Sequence, residues 1–159
     1  MWLYIELIFN MEVKKMIAIG SDHGGYELKR LIPQIFTDIE FKDYGTYSTE
    51  SVDYPDIAIP LAEDVASGKI EKGILICRSG VGMDIMANKI KGIRAALCFN
   101  SKIAEMAKRH EDVNIITLPA DYITNEEAID IVKSWLENNF DGDRHQRRID
   151  KIKSYEERM

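Results

Sequence analysis

The residues of this chain best suited to chemistry lie in one short stretch, Cys77-Arg78-Ser79-Gly80-Val81-Gly82. An apolar run, Gly73 to Ile76, leads into it, and a helical pattern beginning at Val81 leads out. The stretch therefore reads as the turn of a strand–turn–helix unit, and in an open α/β sheet such turns line the carboxyl edge, where ligands bind. A thiol placed there can act as a base once ionised, because the first N–H groups of the following helix point toward anions and favour a thiolate beside them. Gly80 and Gly82 let the backbone approach a bound group closely. Cys77 also fits a second reading, that of a small hydrophobe ending a buried strand.

Three further groups carry reactive side chains. The first apolar run ends in Gly20-Ser21-Asp22-His23-Gly24-Gly25, which sets a carboxylate and an imidazole at the same sheet edge as Cys77. Asp22 fits a helix N-cap as well as a ligand contact. His110 closes the helical stretch 101–109, where a cation also suits the helix dipole. Arg144, His145, Arg147 and Arg148 form a basic cluster in an otherwise acidic chain. Arg144 and Arg148, four residues apart, share a helix face and suit a phosphate, although a solvated surface would show the same pattern.

Familiar phosphate-binding patterns do not fit the Cys77 turn. The P-loop signature is absent, and Gly80-Val81-Gly82 leads to Ile85 where a dinucleotide fingerprint needs a small residue. A cysteine phosphatase needs an arginine six positions after its nucleophile, and that position is Met83.

The elements that must position these groups alternate along the chain. Strands are expected at 16–20, 41–44, 73–77, 93–98 and 114–118, and helices at 25–36, 56–67, 81–90, 101–109 and 125–138, with a last exposed helix beyond Asp141. This alternation predicts a single-domain, Rossmann-like α/β three-layer sandwich with a five-stranded parallel sheet. Pro33 and Pro60 are expected to kink or shorten their helices. The length of 159 residues and 45% hydrophobic content suit one core, assigned to 16–159. Residues 1–15 read as a dispensable extension: Met1–Asn10 is apolar but contains Glu6, lacks a basic flank and is too short to span a bilayer. A net charge of −6 argues against general nucleic-acid or membrane binding, so an anionic ligand must be held by a local cluster. Cys77 and Cys98 each end an apolar run, outside any disulfide framework or metal-ligand spacing, which points to a reducing, cytoplasmic compartment.

Together these motifs resemble ribose-5-phosphate isomerase B and the related galactose-6-phosphate and allose-6-phosphate isomerases. The resemblance spans residues 16–158 and rests on Ser21 to Lys29, Gly45-Thr46-Tyr47-Ser48, Asp53-Tyr54-Pro55-Asp56, the Cys77 segment, His110 to Asn114 and Arg144 to Arg148. It implies a cofactor-free, metal-free aldose–ketose isomerase of the non-oxidative pentose phosphate pathway, with ribose 5-phosphate and ribulose 5-phosphate as its expected substrates. Hexose 6-phosphate activity is the nearest alternative, and a non-catalytic sugar-phosphate-binding protein is an alternative of another class. The resemblance makes Cys77 the base that moves a proton between C2 and C1 through a cis-enediolate. Ser79 assists transfer between the sugar oxygens, and the N–H groups of Gly80, Val81 and Gly82 hold the enediolate oxygen. His110 becomes the acid that opens the furanose, Asp22 and His23 contact the sugar and phosphate region, and Arg144 and Arg148 grip the phosphate. It also implies a homodimer or dimer of dimers whose sites are shared between subunits. Family members with a glutamate base carry it where Met83 stands here. Three positions depart from the family pattern: Glu111 replaces a sugar-binding asparagine, Arg78 a glycine, and Asp121 a phosphate-binding arginine. Arg78 either restores the charge lost at Asp121 or points to solvent.

Overall fold

Apolar strands with both faces covered need no polar alternation, and the central strand Lys72–Cys77 is buried at every residue after its first. In the computed structural model, which describes residues 14–159, five such segments form one parallel sheet: β1 Lys15–Ser21, β2 Ile39–Asp43, β3 Lys72–Cys77, β4 Ala95–Leu97 and β5 Ile115–Pro119, in the order β2-β1-β3-β5-β4. The helices are α1 Tyr26–Ile35, α2 Tyr54–Ala66, α3 Val81–Asn88, α4 Ser101–Glu111, α5 Asn125–Glu137 and α6 Arg144–Glu156. The expected three-layer α/β architecture is thus the observed one. Most of the expected extension lies outside the described residues, and β1 already begins at Lys15.

Side-chain alternation divides the core into two. Ile17, Ile19, Ile74 and Ile76 face α1, α4 and α5, whose Ile32, Ala104 and Trp135 cover that side. Ala18, Leu75 and Cys77 face α2 and α3, which contribute Leu61, Val65, Met83 and Ala87. Met83 is fully buried, so the site of the alternative glutamate base is core here.

One expectation needs correction, at the sheet edge. Pro33 and Pro60 lie inside α1 and α2, which close at Ile35 and Ala66, one residue short of the expected ends. Each forgoes one N–H bond to the carbonyl four residues back, and burial of Ile32 beside the first and of Leu61, Ala62 and Val65 beyond the second offsets that loss. The strand expected at 93–98 shrinks to Ala95–Leu97. At this sheet edge the Asn88 side chain bonds both backbone groups of Ala95, accepting from its N–H at 2.9 Å and donating to its carbonyl at 3.0 Å. An amide on α3 thus serves as the missing strand partner.

Asp84, one turn into α3, accepts from Thr117 Oγ1 at 3.1 Å, and burial raises its carboxyl above the ordinary value. A carboxylate with a raised folded-state pKa costs stability once ionised, so the penalty is present at neutral pH and vanishes below the ordinary value of 3.8. Asp84→Asn keeps one acceptor oxygen for Thr117, gives up the 3.4 Å bond from Asn88 Nδ2 and removes the charge. Thermal melts should show a Tm a few degrees above the parent at pH 7 and no difference near pH 3.

Candidate active site

The strand order reverses between β1 and β3: from β1 the chain passes to β2 on one side, and from β3 it builds the sheet on the other. A crevice must open at the carboxyl ends of these two strands. Ser21 is in register with Ile76, so Asp22 and Cys77 leave the sheet side by side, and the Asp22 N–H donates to Ile76 O at 3.2 Å.

Past β1 the chain enters a single 3-10 turn, His23–Gly25. Asp22 Oδ1 caps it, accepting from the N–H groups of Gly24 at 2.9 Å and Gly25 at 3.3 Å. The cap reading is thus realised on one oxygen, and Oδ2 is not used by the turn. A side chain at Gly25 would come within 2.6 Å of Ile76, so the turn can pack on β3 only with glycine there. His23 Nδ1 accepts from the Val52 N–H at 3.3 Å, so in the neutral ring the N–H lies on Nε2.

Cys77 is 5% exposed, at the last position of β3. Its carbonyl accepts from the Ala120 N–H at 3.0 Å and that of Arg78 from the Asp121 N–H at 2.9 Å, so the turn after β5 clamps the Cys77 backbone. Gly80 follows in the left-handed region, φ 74°, and a Cβ there would collide with Leu97. Ser79 Oγ accepts from the Val81 N–H at 3.3 Å. That bond engages the Val81 N–H, so of the three groups expected to face an oxyanion, those of Gly80 and Gly82 remain for the role. Gly82 packs on Tyr54, whose ring carbons a Cβ would meet at 2.9 Å.

The loop after β2 forms the third wall. Its anchor is Lys29, only 2% exposed, with Nζ donating to both Asp43 oxygens at 2.7 and 2.8 Å and to the Thr46 carbonyl. Tyr47 lies over the same ammonium at 4.9 Å. Sequence reasoning passed over Lys29, although a lysine between Leu28 and Ile32 on the apolar face of α1 was a visible signal.

The remaining candidates gather elsewhere. A helix after a parallel strand runs back across the sheet, so the C-terminal end of α4 lies at the amino edge, where β5 begins. Gly73 pairs with Ile115 and Cys77 with Pro119, so four residues of strand, about 13 Å, separate that edge from Cys77 even before the turn to His110 is added. His110 stacks on His145 of α6, with ring centroids 4.2 Å apart and planes within 10°. Arg109 Nε donates to Asp141 Oδ1 at 3.2 Å, and this bond holds the Asp141 carboxyl below its ordinary range. Arg144 and Arg148 are exposed on α6. Donor atoms of His110, Asp141 and His145 lie within 4.8 Å of one another, a cluster invisible in the sequence spacing. Parallel imidazole planes do not meet, however, so an ion cannot lie in both rings' lone-pair planes at once without unstacking them.

A protein-family model described as ribose/galactose isomerase matches residues 17–152. The chain belongs to the ribose/galactose isomerase family. It is 40% identical to ribose-5-phosphate isomerase B of Escherichia coli over 91% of this chain and 98% of that one. The ribose-5-phosphate isomerase B structure from Clostridium thermocellum superposes with a TM-score of 0.88 at 47% identity, covering 90% of this chain and 98% of the other. That from Mycoplasma genitalium, with bound ribulose-5-phosphate, does so with 0.87 at 40% identity, covering 91% and 97%.

Within this family member the three departing positions fall into two places. Arg78 Nη1 and Asp121 Oδ2 pair at 3.2 Å, both exposed, so Arg78 neutralises Asp121 and adds no free positive charge. Glu111 is exposed at the amino edge, beside a groove of about 750 Å³ between β4, α4 and α6. Asn114, within the His110 motif, is structural: its amide joins Arg94 N–H and Gly92 carbonyl, both at 2.9 Å. Cys98 is fully buried on the opposite sheet face from Cys77, and burial with the nearby Asp84 pushes its thiol up to about 12. Among the described residues, no helix is long and apolar enough to cross a membrane.

Proposed function

We propose that this protein is an aldose–ketose isomerase that interconverts ribose 5-phosphate and ribulose 5-phosphate. The observation that carries the reading is the placement of Cys77 and its glycine turn at the β1/β3 reversal. Family membership over nearly the whole chain, including a relative with bound ribulose-5-phosphate, supports it.

In this reading the Cys77 thiolate removes the C2 proton of the open-chain aldose, and the electron pair moves through C2–C1 to the aldehyde oxygen. The resulting cis-enediolate oxygen is held by the N–H groups of Gly80 and Gly82 at the start of α3. Ser79 relays the hydroxyl proton from O2 to O1, and the Cys77 thiol returns its proton to C1, which completes the ketose with no change in oxidation balance. Asp22 Oδ2 and His23 Nε2 bond the sugar hydroxyls and phosphate region, while His110 protonates the ring oxygen to open the furanose first.

One chain holds Cys77 and His110 at opposite sheet edges, which supports a homodimer, or a dimer of dimers, in which His110, Arg144 and Arg148 of one subunit complete the Cys77 site of the other. Val81, Ile85 and Phe99 are about half exposed beside that turn and supply apolar surface for such a contact. Two free thiols fit a reducing cytoplasm.

A coupled assay of the purified protein on ribose 5-phosphate, galactose 6-phosphate and allose 6-phosphate, with and without chelator, tests the function. Turnover of the pentose, unchanged by chelator, is the expected result. No turnover of any substrate would leave a binding protein, and turnover of hexoses alone would move the substrate assignment.

A further inference from the structure

We infer that His145 is the positioning residue for His110: it supports that ring by its face and stays neutral itself, so that the stack does not carry two positive charges. The inference rests on the reading of His110 as the ring-opening acid.

The geometry makes the pair a unit. Centroids 4.2 Å apart with planes 10° from parallel put His145 flat against His110, and His145 itself is 4% exposed beside Ile149 on the buried side of α6. A side chain with that burial has few other rotamers, so it fixes the ring it touches. Hydrogen bonding then decides where the proton resides. His145 Nδ1 is buried with no partner. An imidazolium has N–H donors at both nitrogens and would bury one unsatisfied, whereas the neutral ring protonated at Nε2 leaves only a lone pair there.

The surrounding charges act in the same direction. From α4, His110 faces the ring as a second titrating group. On its own helix, Arg144 and Arg148 oppose a further positive charge, and from the preceding loop only Asp141 favours one. Asp141 is already engaged by Arg109, which also holds Glu105 at 2.9 Å. Burial and these cations accordingly lower His145 below its ordinary 6.5. A depressed histidine costs folding stability as pH falls below that ordinary value, so the fold disfavours protonation of His145. His110 is less buried and ends α4, where the helix dipole favours a cation. The ring assigned to deliver a proton to the furanose oxygen is thereby held in a fixed plane by a neutral neighbour.

The test compares His145→Ala, His145→Phe and His110→Ala on ribose 5-phosphate and on a four-carbon aldose phosphate that cannot close a 5-phosphorylated furanose. His145→Ala is expected to lower kcat on the pentose about tenfold or more, with KM within about twofold, and to spare the four-carbon substrate. His145→Phe, which restores a flat ring, should recover most of that loss. A raised KM with unchanged kcat would make His145 a binding group instead, and equal losses on both substrates would also overturn the inference. If His110→Ala itself fails to discriminate between the substrates, the ring-opening reading falls and takes the inference with it. If His110→Ala discriminates and His145→Ala does not, the inference fails alone. Histidine ¹⁵N spectra give a readout that needs no His145 variant. The His145 midpoint should lie below that of a free imidazole in the wild type and rise in His110→Phe, and the same midpoint in both proteins would refute the coupling of the two rings.

Discussion

Cys77→Ala should abolish isomerisation while leaving a folded protein. A general base is worth roughly 10²–10⁴-fold in rate, and the neighbouring groups offer no substitute, since Met83 is buried core and Ser79 is bonded to the Val81 N–H. The stability cost should be small, about 1 kcal/mol, because only a sulfur atom leaves the packing against α2 and α3. Cys98→Ala is the control: its thiol, pushed up to about 12 and buried on the other sheet face, stays protonated and out of reach of the crevice. Circular dichroism and the coupled assay decide the matter. Near-normal turnover by folded Cys77→Ala protein would sink the assignment of the base, and loss of turnover in Cys98→Ala with an unchanged melt would show that the two thiols have been assigned the wrong way round.

Subunit mixing should restore activity to two inactive proteins. Arg144→Ala and Arg148→Ala are each expected to raise KM by an amount equivalent to roughly 1.5–3 kcal/mol, the loss of a charge-assisted hydrogen bond to phosphate, so the double variant is inactive at ordinary substrate levels. Cys77→Ala lacks the base. In a mixed dimer one site combines the intact Cys77 turn of the first protein with the intact arginines of the second, while the other site lacks both. Random exchange at equal amounts should recover about one quarter of wild-type turnover, since half of the dimers are mixed and each has one intact site. Complete exchange, shown by mass measurement, without recovered turnover would exclude a shared site. The prediction follows from topology: with Cys77 at the carboxyl edge and His110, His145 and the arginines at or near the amino edge, folding one chain cannot unite them.

Much of the fold was legible because parallel strands covered on both faces must be written as unbroken apolar runs. Gly73 to Cys77 and Asn114 to Leu118 are such runs, and the strands found there differ by one residue at their ends. The strand expected from Ile93 failed because the edge has one partner only, and the Asn88 side chain ends the pairing by occupying Ala95. Pro33 and Pro60 sit inside their helices because the local cost of proline is fixed while the burial that offsets it belongs to the tertiary contacts.

The sequence by itself put the Cys77 turn at the carboxyl edge, because strand followed by turn places a side chain there whatever the sheet order, and Asp22, His23, Cys77 and Ser79 are all written in that position. Only the tertiary structure decided which distant groups meet. Lys29 is turned inward onto Asp43, Arg78 is joined to Asp121, Arg109 to Asp141 and His110 to His145. In sequence these partners stand 14 to 43 residues apart. A side-chain pattern records which face of its own helix or strand is apolar, but which other element packs against that face is set by strand order and crossover direction, and these arise only when the sheet assembles.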